Sequence, residues 1–266
     1  MKRKTTRTFF HLLAITSFML FLVGFILAVW DLMYPPKTVA FQSKKTEQPI
    51  SSEEGLLLGL GDSQTRGIGD SKGLGYFGMV RNQLSKVTHG KSSAVNLAIS
   101  GQTSNDLLKQ MKQDKVLLMV QKAKWISITI GGNDLFRGSG GLEKINLEAA
   151  EKSRQQYEKN LKEILTLIYK QNPKALVFIF GLYNPFGDLD LKETSSSLVS
   201  QWNETIQKVT SKFDNAIIIP TFDLFQLNPS KYLYTDHFHP NEIGYERMAT
   251  RLLQVLLDQV AEGGGK

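Results

Sequence analysis

Residues 55–65 read GLLLGLGDSQT. The apolar run Leu56–Leu60 is too short for a helix and stops at a Gly-Asp-Ser turn, so it reads as a short buried strand. Working outward, Tyr76–Val87 has helical periodicity and Ala94–Ile99 is a second strand. A helix over Asn105–Lys122, with a break near Asp114, leads to a third strand, Trp125–Ile130, rich in branched residues. A long helix follows over Leu147–Gln171, with Leu161, Ile164, Leu165 and Ile168 at helical spacing. Then come a strand at Ala175–Phe180, a helix at Ser196–Phe213, a strand at Ala216–Ile219 and a last helix at Glu242–Ala261. Strand and helix therefore alternate with short links. That pattern specifies an α/β domain whose five-stranded parallel sheet is covered by helices on both faces. Ligands of such sheets bind beyond the carboxyl ends of the strands, so the residues just after each strand are the site candidates.

Four of these strand ends carry chemistry. Gly61-Asp62-Ser63-Gln64-Thr65 follows the first strand and Ser100-Gly101-Gln102-Thr103 the second. Gly131-Gly132-Asn133-Asp134 follows the third, and Asp236-His237-Phe238-His239-Pro240 lies past the fifth. A serine hydroxyl becomes a useful nucleophile only when a base takes its proton. His239 is that base, and Asp236, three residues earlier, reaches its Nδ1–H and sets its tautomer. The backbone N–H groups of Ser63 and Gly101 and the side-chain amide of Asn133 are the donors for an oxyanion. Glycine at 101 lets the backbone come close to substrate. Taken singly, each signal has a plain structural reading. Gly-Asp-Ser is a common turn, Gly-Gly-Asn-Asp is a loop with a helix cap, and Asp236 with His239 is a satisfied loop pair. Asp236, His237 and His239 also allow a metal reading, although no cluster elsewhere completes such a site. His89, before Gly90, reads as a surface residue.

Taken together, the blocks GDSQT, SGQTS, GGND and DHFHP resemble those of the SGNH-hydrolase superfamily, the GDSL esterases and lipases, over about residues 54–260. The resemblance implies a flavodoxin-like three-layer α/β/α sandwich. It also implies acyl-enzyme chemistry with Ser63, Asp236 and His239 as catalytic residues and Ser63, Gly101 and Asn133 as oxyanion hole, using neither metal nor organic cofactor. Gln64 stands where the family often has Leu, beside the nucleophile, where it bears on the pocket wall more than on the chemistry. The whole chain is most similar to membrane-anchored members from Gram-positive bacteria related to lysophospholipase L1 and acyl thioesterases.

The N-terminal part points the same way. Residues 9–30, FFHLLAITSFMLFLVGFILAVW, hold no charge, and at about 1.5 Å per residue they match a hydrocarbon core of about 30 Å. Lys2, Arg3, Lys4 and Arg7 precede them, which predicts a cytoplasmic N-terminus, a transmembrane anchor and a catalytic domain outside. A cleaved signal peptide is the competing reading, but Ala28-Val29-Trp30-Asp31 fits a cleavage site poorly. The expected organisation is a basic tip over 1–8, a span over 9–30, a flexible linker over 31–53 and a hydrolase domain over 54–262. Those four basic residues carry more than half of the net charge of +7. No later basic cluster with interleaved aromatics exists, so nucleic acid is not an expected partner. Absence of cysteine excludes disulfides, thiolate metal sites and a cysteine nucleophile.

Two loops, Leu182–Leu191 with Tyr183, Pro185 and Phe186, and Phe222–Tyr234 with Phe225, Leu227 and Tyr232, are expected to line the mouth or else to pack on the domain. Gly138–Gly141 is a lid or a loose loop. The expected activity is hydrolysis of lipid-derived acyl esters at the cell envelope. The alternatives are a carbohydrate O-deacetylase acting on wall polymers and a non-catalytic protein that keeps the fold. The sequence leaves the oligomeric state open.

Overall fold

The computed structural model describes residues 15–25, 55–141, 145–188 and 192–263, with side chains described as far as Asp258. The chain divides into two units, Met1–Ile50 and Ser51–Lys266. In the first unit, helix α1 covers residues 15–25, and all of its residues are exposed. Among the described residues no helix is long and apolar enough to cross a membrane. The rest of the expected span 9–30, the tip 1–8 and the linker 31–53 lie outside the described residues.

The second unit is a five-stranded parallel sheet in the order β2-β1-β3-β4-β5. Its strands are β1 (Leu56–Gly61), β2 (Ser93–Asn96), β3 (Ala123–Thr129), β4 (Leu176–Phe180) and β5 (Ala216–Ile219). Side chains alternate between the two faces of a strand, and the sequence fills both faces with apolar groups. Leu56, Leu58, Leu60, Ile126, Ile128, Val177 and Ile179 pack into one buried core. Leu57, Trp125, Phe178 and Phe180 pack into the other. The first core is closed by α4 (Ser104–Met111), α5 (Asp114–Lys122), α7 (Leu147–Gln171) and α8 (Lys192–Thr210), through residues such as Leu107, Val120, Ile164 and Trp202. The second is closed by α3 (Gly75–Val87) and α11 (Glu242–Gly263), through Tyr76, Val80, Tyr245 and Leu252. The three layers and the parallel sheet agree with the sequence expectation.

The strand order reverses beside β1: the chain goes outward to β2, then crosses back to β3 on the other side. Such a switch point opens a crevice at the carboxyl ends of the strands. The expected break near Asp114 is present, with α4 ending at Met111 and α5 beginning at Asp114. Strand β2 is shorter than expected. Its pairing persists through Leu97 N–H to Gly59 O and Ile99 N–H to Gly61 O. However, Asn96 turns its side chain onto the backbone, donating to Thr65 O and accepting from Ala98 N–H, which ends the regular strand. Four short helices fall where loops were expected: α2 (Ser63–Arg66), α6 (Gly132–Gly138), α9 (Phe222–Gln226) and α10 (Pro229–Tyr232). Each is too short to show a helical period in sequence.

Candidate active site

Ser63 is the first residue of α2, where β1 leaves the sheet. Gly61 makes the exit possible. Its φ is +109°, and a Cβ there would lie 1.9 Å from the Thr129 carbonyl oxygen of β3. Asp62 then caps α2, accepting from Gln64 N–H at 3.1 Å, and its own N–H donates to Thr129 O at 3.0 Å. The nucleophile candidate is thereby clamped to the neighbouring strand.

Ser63 Oγ lies 2.8 Å from His239 Nε2, and His239 Nδ1 lies 2.6 Å from Asp236 Oδ2. The Asp-x-x-His spacing produces this pairing through a tight turn. Asp236 Oδ1 accepts from the N–H groups of Phe238 and His239, leaving Oδ2 for the imidazole. His237, between them, takes the left-handed conformation with φ +51°, a strained choice for a non-glycine residue that the turn imposes. Burial by itself would raise the Asp236 pKa, but the bonds from the His239 ring and the two N–H groups outweigh it and hold the carboxyl below its usual range. The turn is tied down from outside: Tyr183 OH donates to Phe238 O at 2.6 Å and Tyr234 N–H to His239 O at 2.7 Å.

The three expected oxyanion donors stand at the ends of three adjacent strands, β2, β1 and β3. Among the described residues, neither Ser63 N–H nor Gly101 N–H donates to a protein acceptor. Asn133 Nδ2 uses one hydrogen on Gln102 O at 3.0 Å, which fixes the amide and leaves its second hydrogen available. Gly101 has φ +76° and its carbonyl accepts from Arg137 at 2.9 Å. The demand for glycine here is thus conformational, beyond the close approach expected from sequence.

Two buried acids hold this frame. Asp62 Oδ1 also accepts from Thr129 Oγ1 at 2.7 Å, and that hydroxyl begins a buried chain through Thr65 and Tyr76 to Ser127. Burial pushes the Asp62 pKa up to about 6, against the pull of its Thr129 and Gln64 bonds. Asp134 accepts from Ser104 N–H and Oγ, while Asn160 donates to the same hydroxyl at 2.9 Å. Burial raises its pKa as well. Asp134 therefore binds the first residue of α4, whose cap is Thr103, and makes no cap bond to its own helix, whose cap is Gly131. Gly-Gly-Asn-Asp does hold a helix cap, Gly131, and in addition the Asp134 carboxylate links the Asn133 loop to the Gly101 loop.

Beside Ser63 opens a cavity, continuous with solvent, whose walls include Gln64, Leu135, Phe136, Leu182, Phe186 and Phe238. Three phenylalanine rings meet there, with Phe136–Phe238 centroids 5.6 Å apart and Phe186 6.4 Å from each. Gln64 does form pocket wall, as its place beside the nucleophile suggested. The loop from Leu182 to Phe186 lines the cavity, with Leu189–Leu191 outside the described residues. The segment Phe222–Tyr234 does not line it: Phe225 is buried against Tyr183, with ring centroids 4.1 Å apart. The Gly138–Gly141 stretch contributes Ser139 and Gly141 to the pocket wall. Phe136 and Phe238 escaped the sequence reading because each lies inside a block read for its polar residues. His89 is exposed, as expected, at the end of α3. Among the described residues no group of three or more His, Cys, Asp or Glu side chains is placed to hold a metal ion.

The GDSL-like Lipase/Acylhydrolase family matches residues 60–247. The chain is 31% identical over 226 residues to the uncharacterized protein YpmR of Bacillus subtilis, covering 83% of this chain and 88% of that one. It is 29% identical over 201 residues to the spore germination lipase LipC of Bacillus licheniformis, covering 73% and 92%. Among solved structures, the lipase Lip_vut3 from a goat rumen metagenome superposes with a TM-score of 0.66 at 24% identity, covering 74% of this chain and 95% of that one. The chain belongs to the GDSL-like lipase/acylhydrolase family and is a serine hydrolase acting on ester bonds.

The raised pKa of Asp62 has a consequence for stability. A carboxyl whose pKa rises on folding contributes stability that is complete below its unfolded pKa and is lost as pH rises through its folded one. For Asp62 that window runs from the ordinary 3.8 to about 6, worth about 3 kcal/mol. Asn at 62 keeps a capping oxygen without a charge. Urea unfolding followed by tryptophan fluorescence should show wild type losing stability relative to Asp62→Asn across this window, with a constant gap above it. Parallel pH profiles of the two proteins would contradict the assignment.

Proposed function

We propose that the chain is an acyl esterase of the cell envelope, working through an acyl-enzyme on Ser63. The observation that carries this reading is the unbroken contact from Asp236 through His239 to Ser63 at the edge of an apolar cavity. In the first half-reaction Ser63 Oγ attacks the ester carbonyl carbon and its proton passes to His239 Nε2. Asp236 stabilises the imidazolium and keeps its Nδ1–H in place. The N–H groups of Ser63 and Gly101 and the Asn133 amide receive the charge that develops on the carbonyl oxygen. His239 then returns the proton to the leaving alcohol. In the second half-reaction His239 takes a proton from water, which attacks the acyl carbonyl; the bond from Ser63 Oγ to the acyl carbon then breaks, His239 returns the proton to Oγ, and the acid is released.

The cavity supports an acyl chain longer than acetyl. Its walls are aromatic and aliphatic, and a methylene moved from water into such a site gains about 0.8 kcal/mol. Hydrolysis of a medium-chain ester by the full-length protein should therefore exceed that of the matching acetyl ester in kcat/KM. Asn133→Ala should lower kcat by on the order of 10²–10³ with little change in KM. Preference for acetylated wall sugar over acyl esters would favour the deacetylase reading instead.

The charge-free segment 9–30, with Lys2, Arg3, Lys4 and Arg7 before it, supports an anchored protein whose catalytic domain faces outward. A flexible linker of the length of 31–53 gives a reach of about 25 Å. Protease added to wall-stripped cells should then remove the catalytic domain and leave a membrane-bound stub. Protection of the domain, or a mature N-terminus just past residue 30, would overturn the anchor.

A further inference from the structure

Single exposed apolar side chains are ordinary, and Leu118, Leu147 and Leu227 are such residues. Four others are arranged differently. Ile68, Ile99, Phe136 and Tyr234 are 41%, 52%, 37% and 46% exposed, and each stands on a segment that carries part of the site. Ile68 N–H donates to Ser63 O, and Ile99 N–H to Gly61 O. Phe136 follows Asn133 on α6 and its ring meets Phe238. Tyr234 N–H donates to His239 O. The Ile68 and Tyr234 segments also meet each other, since a Cβ at Gly69 would lie 3.1 Å from His239 Cβ and 3.2 Å from Tyr234 Cβ. Four chain segments that carry parts of the site thus bear solvent-facing apolar groups, and one of these, Phe136, also lines the cavity.

The charges on these segments are sorted by sign. The acids are turned inward: Asp62, Asp70 and Asp134 are buried. Asp236 is committed to His239 and to its own turn. The two arginines, Arg66 on α2 and Arg137 on α6, are exposed. Among the described residues of these four segments, an apolar rim with outward arginines and with carboxylates that are buried or bonded complements a surface that is apolar within and anionic at its headgroups.

We propose that this rim, Ile68, Ile99, Phe136 and Tyr234 with Arg66 and Arg137, docks on a lipid surface bearing anionic headgroups, so that the ester enters the cavity from the lipid phase. The proposal rests on the acyl-esterase reading and adds where the substrate comes from. Ile68, Ile99 and Tyr234 stand outside the cavity wall, and their bonds to Ser63, Gly61 and His239 are made by backbone N–H groups, so a side-chain change to serine leaves the site's contacts in place.

Full-length protein is mixed with phosphatidylcholine vesicles, with or without phosphatidylglycerol, each carrying a long-chain lysophospholipid. The same preparations are assayed on a water-soluble butyrate ester. The triple variant Ile68→Ser, Ile99→Ser, Tyr234→Ser should lose at least about tenfold in rate on vesicles while its kcat/KM on butyrate stays within about twofold of wild type. Arg66→Gln should lose the advantage that phosphatidylglycerol gives wild type. Unchanged vesicle rates in the triple variant overturn the proposal, as does an equal loss on both substrates. A change in sedimentation from dimer to monomer with vesicle rates intact would assign the rim to self-association and overturn it too. Failure of wild type to hydrolyse butyrate would instead strike the esterase reading, and the two failures are distinguishable.

Discussion

The junction between Asp62 and Thr129 fixes the end of β1 against the end of β3, and the position of Ser63 follows from it. Asp62 donates its N–H to the Thr129 carbonyl and accepts the Thr129 hydroxyl, while the same carboxylate caps the helix that begins with Ser63. A buried carboxylate is costly to desolvate, and partnered hydrogen bonds offset that cost. The polar chain that continues through Thr65, Tyr76 and Ser127 supplies a rigid floor below the site. A nucleophile held this way has little freedom to drift from its base, and small displacements of reacting atoms are expensive in rate.

The rest of the site is assembled from parts that have no proximity in sequence. Parallel order brings the ends of β2, β1 and β3 side by side, which places Gly101, Ser63 and Asn133 in one row. Asp134 and Ser104 lock the outer two of these loops together. The His239 turn arrives from beyond β5 and is fastened by Tyr183 and Tyr234. Aromatic side chains in the same loops then build the cavity, so one set of loops carries both the chemistry and the apolar contact surface.

Much of this was legible in the sequence, for identifiable reasons. Runs such as Leu56–Leu60 and Trp125–Ile130 are buried on both faces, so their apolar character is continuous and their ends are sharp. The long helices announce themselves by period, and the Asp236–His239 pair by a spacing that a single turn can close. What escaped was set by tertiary contact. Asp134 serves a helix that is not its own, a role that no local pattern encodes. Phe136 and Phe238 meet only after α6 and the His239 turn converge. The segment Phe222–Tyr234 has the composition of a pocket wall, yet Phe225 finds Tyr183 and turns inward. Gln64 was placed correctly because its position beside Ser63 is a covalent constraint and needs no folding to know.

The central claim is that His239 activates Ser63 as the nucleophile. A fluorophosphonate reacts only with an activated serine and leaves a covalent mass on it. Full-length protein treated with such a probe and digested should carry the added mass on the peptide containing Ser63. His239→Ala should abolish the modification while leaving the fold intact by circular dichroism. Modification at another residue, or undiminished labelling of a folded Ser63→Ala protein, would contradict the account.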